Sequence, residues 1–394
     1  MTLPLEGIKV LDFTQILAGP TATQLLGDMG ADVIKVEPLG QGDRTRGIGP
    51  KYMPGDESPY FHSVNRNKRS IAINLKRPEG REIVLKLAKT ADVVVQNFRL
   101  GVMERLGIDY KTLSQINPRI IFCSISGWGP KGPDRDKPGS DMLAQAMSGL
   151  ISINGGPEEP CPVGTAPCDV MGGILSAFGV MNALFARERT GMGQEVHASL
   201  LAAGMFLQPY EFAQYLNTGD MPGNSRIGNY FISPPFGAFR AKDGQDLAIT
   251  ARWSEFCEAI GREDLVSDPR FDTYIKRIDN RDQAIAVVQD IISKKTRDEW
   301  LLFFAEKGIR SAPVYTYDQV CSYPQVRAND LIITMKHSVA GEVKTVGIPV
   351  QLGETPGAVR LPAPTLGQHT GEILSSLGYS DDEIAQLVIQ EVVA

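Results

Sequence analysis

Cysteine is scarce in this chain of 394 residues: Cys123, Cys161, Cys168, Cys257 and Cys321 are all there is. The number is odd and no C-x-x-C pair occurs. A disulfide framework or zinc knot is therefore not expected, and reduced thiols in a cytoplasmic protein are. Histidine is scarcer still. His62, His197, His337 and His369 lie far apart without metal-ligand spacing, so each reads as a structural histidine and no metal site is expected. No uninterrupted apolar run reaches the ~18 residues of a transmembrane helix. The segment Met1 to Gly7 lacks the basic and apolar regions of a signal peptide. Basic residues are not in excess either. With 40 Lys and Arg against 46 Asp and Glu, the net charge is −6. That argues against a nucleic-acid partner, although a local basic site for an anionic ligand remains possible. There is no P-loop and no G-x-S-x-G.

What is present is a globular composition, with 42% hydrophobic and 22% charged residues. At ~150 residues per domain the length suits two domains. The first third alternates strand and helix. Strand-like runs occur there at Ile8–Phe13, Asp32–Glu37, Ser70–Leu75, Asp92–Val95 and Arg119–Ser124; Gln194–Ser199, in the middle of the chain, is a separate strand candidate. Between them, Pro20 opens a helix running to about Gly30, and Pro78 opens another. Apolar strands between helices predict a parallel sheet covered on both faces, a Rossmann-like α/β domain. Val170 to Ala186 is apolar almost all round and reads as a buried helix; Leu200 to Asn217 reads as another. The Gly/Pro/Asn-rich stretch from Thr218 to Asn229 reads as a linker. The expected organisation is a large domain over 1–220, a small α+β domain over 221–325, and a segment over 326–394 returning to the large domain.

Three local patterns bear on chemistry. Gly127-Trp128-Gly129-Pro130-Lys131-Gly132 fits G-x-G-x-x-G after a predicted strand. A dinucleotide fingerprint needs a helix to open at once. Pro130, Pro133 and Pro138 prevent that, so the motif reads as a loop and a nicotinamide oxidoreductase is disfavoured. Arg44 and Arg46, the run Asn65-Arg66-Asn67-Lys68-Arg69, Lys76 and Arg105 could together bind phosphate, or simply be solvated charge. Asp169 stands at the mouth of the apolar helix. The plain reading is an N-cap worth about 1 kcal/mol. Gly172-Gly173 beside it leaves room for close approach of a ligand.

Taken in order along the whole chain, further segments resemble the family III CoA-transferases, the CaiB–BaiF family. They are Gly7-Ile8-Lys9-Val10-Leu11-Asp12-Phe13-Thr14 with Leu17-Ala18-Gly19-Pro20, Gly30-Ala31-Asp32-Val33-Ile34-Lys35-Val36-Glu37-Pro38, and Asn67-Lys68-Arg69-Ser70. Gln96-Asn97-Phe98-Arg99, Ser126-Gly127-Trp128-Gly129-Pro130, Thr190-Gly191-Met192-Gly193-Gln194 and Pro235-Phe236-Gly237-Ala238-Phe239 complete the pattern. The resemblance implies that Asp169 is a catalytic nucleophile rather than a cap. It implies transfer of CoA from a donor thioester, succinyl-CoA being one choice, to a free carboxylic acid. The intermediates would be an acyl anhydride and an aspartyl-CoA thioester on Asp169.

The same resemblance implies CoA contacts at Leu17, Ala18, Lys76, Arg105 and Lys137. It implies an active-site loop around Gly228 and Gly237, with Ser140 in the Pro-Gly-x-Asp segment. It implies no cofactor beyond the CoA thioester substrate, and an interlocked, ring-like homodimer. The alternatives are an acyl-CoA racemase or epimerase exchanging an α-proton, and a non-catalytic acyl-CoA-binding protein. The racemase relatives carry histidine where this chain has Ser140, and serine is no base near neutral pH. The oxalate-using branch often carries glutamine at the place of Leu17.

Overall fold

The computed structural model describes residues 2–50, 52–156, 159–225 and 227–394. Runs of Val, Ile and Leu form the strands of one sheet: β1 (Lys9–Asp12), β2 (Asp32–Glu37), β3 (Lys68–Ala72), β4 (Val93–Gln96), β5 (Ile121–Ser126) and β6 (Glu195–Ser199). All pairings are parallel, and the spatial order is β3-β2-β1-β4-β5-β6. The order reverses direction between β1 and β4. In such sheets the crevice beyond the carboxyl ends of the strands at that reversal is where ligands bind.

The helices follow from their breakers. Pro20 lies in the first turn of α1 (Ala18–Asp28), and Pro78 is the first residue of α2 (Pro78–Ala88). On one face of the sheet, α2 and the tail bury Ile83, Leu87, Ile373 and Leu374 against Leu11, Val36 and Val94. Toward the site come α3 (Asp141–Met147), α4 (Pro167–Thr190) and α5 (Leu200–Phe206). The expected helix Leu200–Asn217 is in fact two, because Pro209 has no N–H to continue α5 and instead opens α6 (Pro209–Thr218).

Helix α4 corrects a second expectation. Only one side of it is buried, against α1, α5, β5 and β6. Val170, Ile174, Phe178, Met181 and Phe185 form an exposed apolar row, with Phe178 66% accessible. The helix is 24 residues long and apolar enough to match a membrane span by length and composition alone, although no uninterrupted apolar run is that long.

Gly172 and Gly173 also differ from expectation. A Cβ on Gly173 would stand 2.5 Å from the Ala18 carbonyl oxygen, and one on Gly172 would stand 3.1 Å from a Leu200 methyl. The missing side chains admit neighbouring helices, not a ligand.

Two compact units emerge. The first comprises 1–148, 165–207 and 324–394; the second comprises 149–164 and 208–323. The second therefore begins before the expected boundary at 221 and takes in a segment from the expected large domain. It carries an antiparallel sheet of β7 (Gly237–Arg240), β8 (Asp246–Thr250) and β9 (Arg310–Pro313) in the order β9-β8-β7. Trp253, Phe256, Phe271, Trp300 and Phe304 fill its core.

Gly173→Ala tests the α1–α4 approach. Alanine gains about 1 kcal/mol of helix propensity over glycine. The overlap with Ala18 should outweigh that gain and leave a net loss of about 1–3 kcal/mol, read as a lower melting temperature. An unchanged or higher Tm would mean that the two helices part freely at this point.

Candidate active site

The loop after β1 is built on buried charge. Asp12, Lys35 and Lys68 are fully buried. Lys68 Nζ bonds Asp12 Oδ2 (3.0 Å), Asn65 Oδ1 (2.8 Å) and the Pro20 carbonyl (3.1 Å). Lys35 Nζ bonds Asp43 Oδ2 (2.9 Å) and the Thr14 carbonyl (2.8 Å). Burial alone would raise the Asp12 carboxyl, but the ammonium groups of Lys68 and Lys35 outweigh it and hold it at about 2. The next residues are fixed from both sides. Asp43 Oδ1 accepts the Ile16 amide (3.2 Å), while Asn97 accepts the Gln15 amide (2.9 Å) and donates to the Gln15 carbonyl (2.7 Å). Ile16 is held at φ 72°, a strained value for a β-branched residue.

Asp169 is not the cap of its helix. It is the third residue of α4, and the N-cap position is Ala166, with no side-chain bond. The cap comes from 28 residues upstream. Asp141 Oδ1 accepts the amides of Cys168 (2.8 Å) and Asp169 (3.0 Å), while its Oδ2 accepts from Gln145 (2.6 Å). Those two amides are therefore not available to a developing oxyanion, contrary to what a bare helix N-terminus would offer. Burial, and then the neighbouring Asp141 carboxylate, push the Asp169 carboxyl up to about 7. Cys168 is buried, and burial with the same two carboxylates lifts its thiol to about 12, so it is no nucleophile at neutral pH.

These parts line one cavity of about 600 Å³ at the carboxyl end of the sheet. Its walls carry Gln15 to Ala18, Arg44, Asn97 to Leu100, Ser126, Gly127, Arg135 to Asp141, and Asp169. The structure thus brings Leu17, Ala18, Lys137 and Ser140 to Asp169. Arg44, Arg99, Arg135 and Asp141 join them, and sequence reasoning had given none of these a place beside Asp169. Gly127 explains how the loop 127–140 returns: a Cβ there would stand 2.7 Å from the Gly139 Cα. The glycine serves backbone packing, and the next helix opens only at Asp141.

Other expected residues lie elsewhere. Lys76 and Arg105 are exposed and outside the cavity lining; the Arg105 guanidinium lies over Gly101, beside the wall formed by Leu100 and Val102. Gly228 and Gly237 belong to the second unit, where Gly237 packs on the Ile227 carbonyl. Arg281 holds that segment through the carbonyls of Asn229 (3.0 Å), Tyr230 (3.1 Å) and Ile232 (2.6 Å).

Most of the expected phosphate cluster is structural instead. Arg46 pairs with Glu37 (2.8 Å) and stacks on Phe61, Arg66 pairs with Asp28 (2.7 Å), Lys68 with Asp12, and Arg69 with Asp32 (2.6 Å). Two histidines that looked unrelated meet. His62 and His337 rings lie 4.7 Å apart, and His62 Nε2 is 3.1 Å from Glu57. His337 Nδ1 accepts the amides of Val339 (3.2 Å) and Ala340 (2.9 Å), so its neutral ring keeps the proton on Nε2 and presents no lone pair to a metal.

A parallel sheet with a carboxylate in the cavity at its switch point is the ligand-site arrangement of α/β enzymes. The chain is 33% identical to a CAIB/BAIF family protein from Brucella suis whose crystal structure superposes with a TM-score of 0.85, covering 96% of this chain and all of that one. It is 36% identical to the succinyl-CoA:glutarate CoA-transferase of Homo sapiens over 99% of this chain and 90% of the relative. It is 38% identical to the acetyl-CoA:oxalate CoA-transferase of Acetobacter aceti over 91% of this chain and 93% of the relative. Residues 5–370 match CoA-transferase family III, and the chain belongs to that family.

The Asp169–Asp141 coupling has a direct test. Asp141→Asn keeps an oxygen for the two amides but removes the like charge, so the Asp169 titration should move to lower pH. Carboxyl ¹³C NMR would show it. A raised pKa also fixes the sign for stability. The proton that Asp169 binds in the fold favours the folded state fully below the ordinary pKa of 3.8, and that contribution is lost as pH rises toward about 7. An unmoved titration in Asp141→Asn would leave burial as the sole cause.

Proposed function

We propose that the protein moves CoA from a donor acyl-CoA to a free carboxylic acid, with Asp169 as the nucleophile. The observation that carries this reading is the half-buried Asp169 carboxylate, raised to about 7, in the cavity at the switch point of the sheet. Its carboxylate attacks the donor thioester carbonyl; the CoA thiolate leaves and an aspartyl–acyl anhydride forms. The thiolate attacks the aspartyl carbonyl, giving an aspartyl-CoA thioester and releasing the donor acid. The acceptor carboxylate attacks that thioester and expels the thiolate, and a second anhydride forms. The thiolate then attacks the acceptor acyl carbonyl, which frees the new acyl-CoA and restores Asp169. One thioester replaces another, so the energy balance requires no ATP. Desolvation leaves the carboxylate a stronger nucleophile than one in water, at the cost of ionising only near neutrality.

The relatives named for glutarate and oxalate support a short dicarboxylic acid as one partner in the exchange, and succinyl-CoA as a donor. Leu17, Ala18 and Lys137 in the cavity, with Arg105 and Lys76 outside its lining, are proposed to hold CoA. Ser140 in the cavity supports transfer over α-proton exchange, since it supplies no base. The exposed apolar row on α4, from Val170 to Phe185, supports burial against a second copy of the chain in the proposed interlocked homodimer.

An exchange assay with succinyl-CoA and a panel of short acids tests the reading. Wild type should transfer CoA, with kcat/KM falling as pH drops through about 7 because Asp169 becomes protonated. Asp169→Ala and Asp169→Asn should lose about 10³-fold or more, as nucleophile removal does elsewhere. Transfer above a tenth of wild type in either variant would contradict the nucleophile role.

A further inference from the structure

The cavity that holds Asp169 carries four basic side chains: Arg44, Arg99, Arg135 and Lys137. Two have acidic neighbours in exposed ion pairs. Arg135 lies 3.2 Å from Asp136, and Lys137 lies 2.7 Å from Asp134. Arg44 and Arg99 make no ion pair among the described residues. They sit on different segments. Arg99 belongs to the wall that continues through Leu100 to Gly101, over which Arg105 lies, and so joins the side proposed for CoA. Arg44 begins the turn Arg44–Gly47 after β2. Asp43 caps that turn at Thr45 (2.9 Å) and at the same time grips Lys35 and the Ile16 amide. The turn is therefore anchored to the loop that walls the cavity, which fixes the backbone from which the exposed Arg44 side chain extends. Tyr60 links this turn to the nucleophile: its phenol is pushed up to about 12 by burial and by the carboxylates of Asp169, Asp43 and Asp141. One side chain is within electrostatic reach of both.

Resting on the transferase reading above, we propose that Arg44 is a specificity-determining residue that pairs with the distal carboxylate of a dicarboxylic acid while its reacting end meets Asp169. A second carboxylate entering this cavity would be desolvated beside Asp141 and Asp169, which is unfavourable without a cation. A guanidinium supplies two parallel donors matched to a carboxylate, whereas an ammonium supplies only a point charge. Two residues along, Arg46 shows the contrast: its fork is spent on Glu37 and is closed to a ligand.

The test uses full-length wild type, Arg44→Gln and Arg44→Lys with succinyl-CoA at a fixed concentration. Acceptors are dicarboxylic acids of three to six carbons, each against the monocarboxylic acid of the same length. The readout is the ratio of kcat/KM values within each pair, which cancels any common effect on the donor half-reaction. Wild type should favour the dicarboxylic acid. Arg44→Gln should lower the ratio at least about tenfold, mainly through the KM of the dicarboxylic acid, as loss of a charged hydrogen-bond pair does. Arg44→Lys should fall between the two. A ratio within twofold of wild type in Arg44→Gln, or a wild type without preference, overturns the proposal while the transferase reading stands. With donor varied at fixed acceptor, an equal rise in the KM of succinyl-CoA and of acetyl-CoA, without a change in the acceptor ratio, also overturns it and places Arg44 with CoA. Wild type that transfers CoA to no acid removes both.

Discussion

Everything at the candidate site depends on two helices meeting backbone to backbone. The Ala18 carbonyl of α1 occupies the space a Cβ on Gly173 of α4 would need. The same tightness continues at Gly19, where a Cβ would stand 2.3 Å from Thr14. With α1 pressed on α4, the loop that enters α1 and the third residue of α4 share one cavity. That leaves Asp169 half-buried in the cavity wall. Asp141, at the start of α3, stands beside Asp169 because it accepts the first amides of α4, the only cap that helix receives from a side chain among the described residues. Burial and a like charge then raise the Asp169 carboxyl together. Helix packing at Gly173 and capping by Asp141 thus meet at one carboxylate.

The loop itself is held by ions rather than by apolar contact. Asp12, Lys35, Asp43 and Lys68 are buried charges whose desolvation must be offset by close partners, and each has them. Replacing such a network with well-packed apolar residues is often neutral for stability, so its presence here points to positional control. It fixes Thr14 and Ile16 by their backbone atoms, while Asn97 fixes Gln15 between them. Asp43 extends the same control to the turn bearing Arg44. The charges under the loop are spent on geometry. The uncompensated cations are at the cavity wall.

The fold was largely legible in the sequence, because β-branched runs between helical segments announce a parallel sheet directly. Asp32–Glu37 appears with the bounds read from its residues. Where the reading slipped, tertiary partners decided. The third strand begins at Lys68 rather than Ser70 because its basic residues are bonded inside the fold. Residues 170–186 looked buried all round because apolar side chains facing the core and facing outward have the same composition. Among site residues, Asp169 and the loop at Leu17 were recognised through family resemblance; Arg44, Arg99 and Asp141 were not assigned there. Asp141 caps a helix 28 residues away, and no local pattern encodes such a bond. His62 and His337 are similar, since only the fold brings them within contact. The phosphate reading of residues 65–69 failed because sequence shows a cation but not the carboxylate that neutralises it.

The central claim is that a carboxylate of this protein carries CoA covalently. The most direct measurement is the mass of the intact protein and of its peptides after mixing with a panel of acyl-CoAs and no acceptor. The account predicts a CoA adduct on the peptide containing Asp169, released by hydroxylamine as an aspartyl hydroxamate. A protein that exchanges CoA while the adduct is missing, or is carried on another residue, would contradict it.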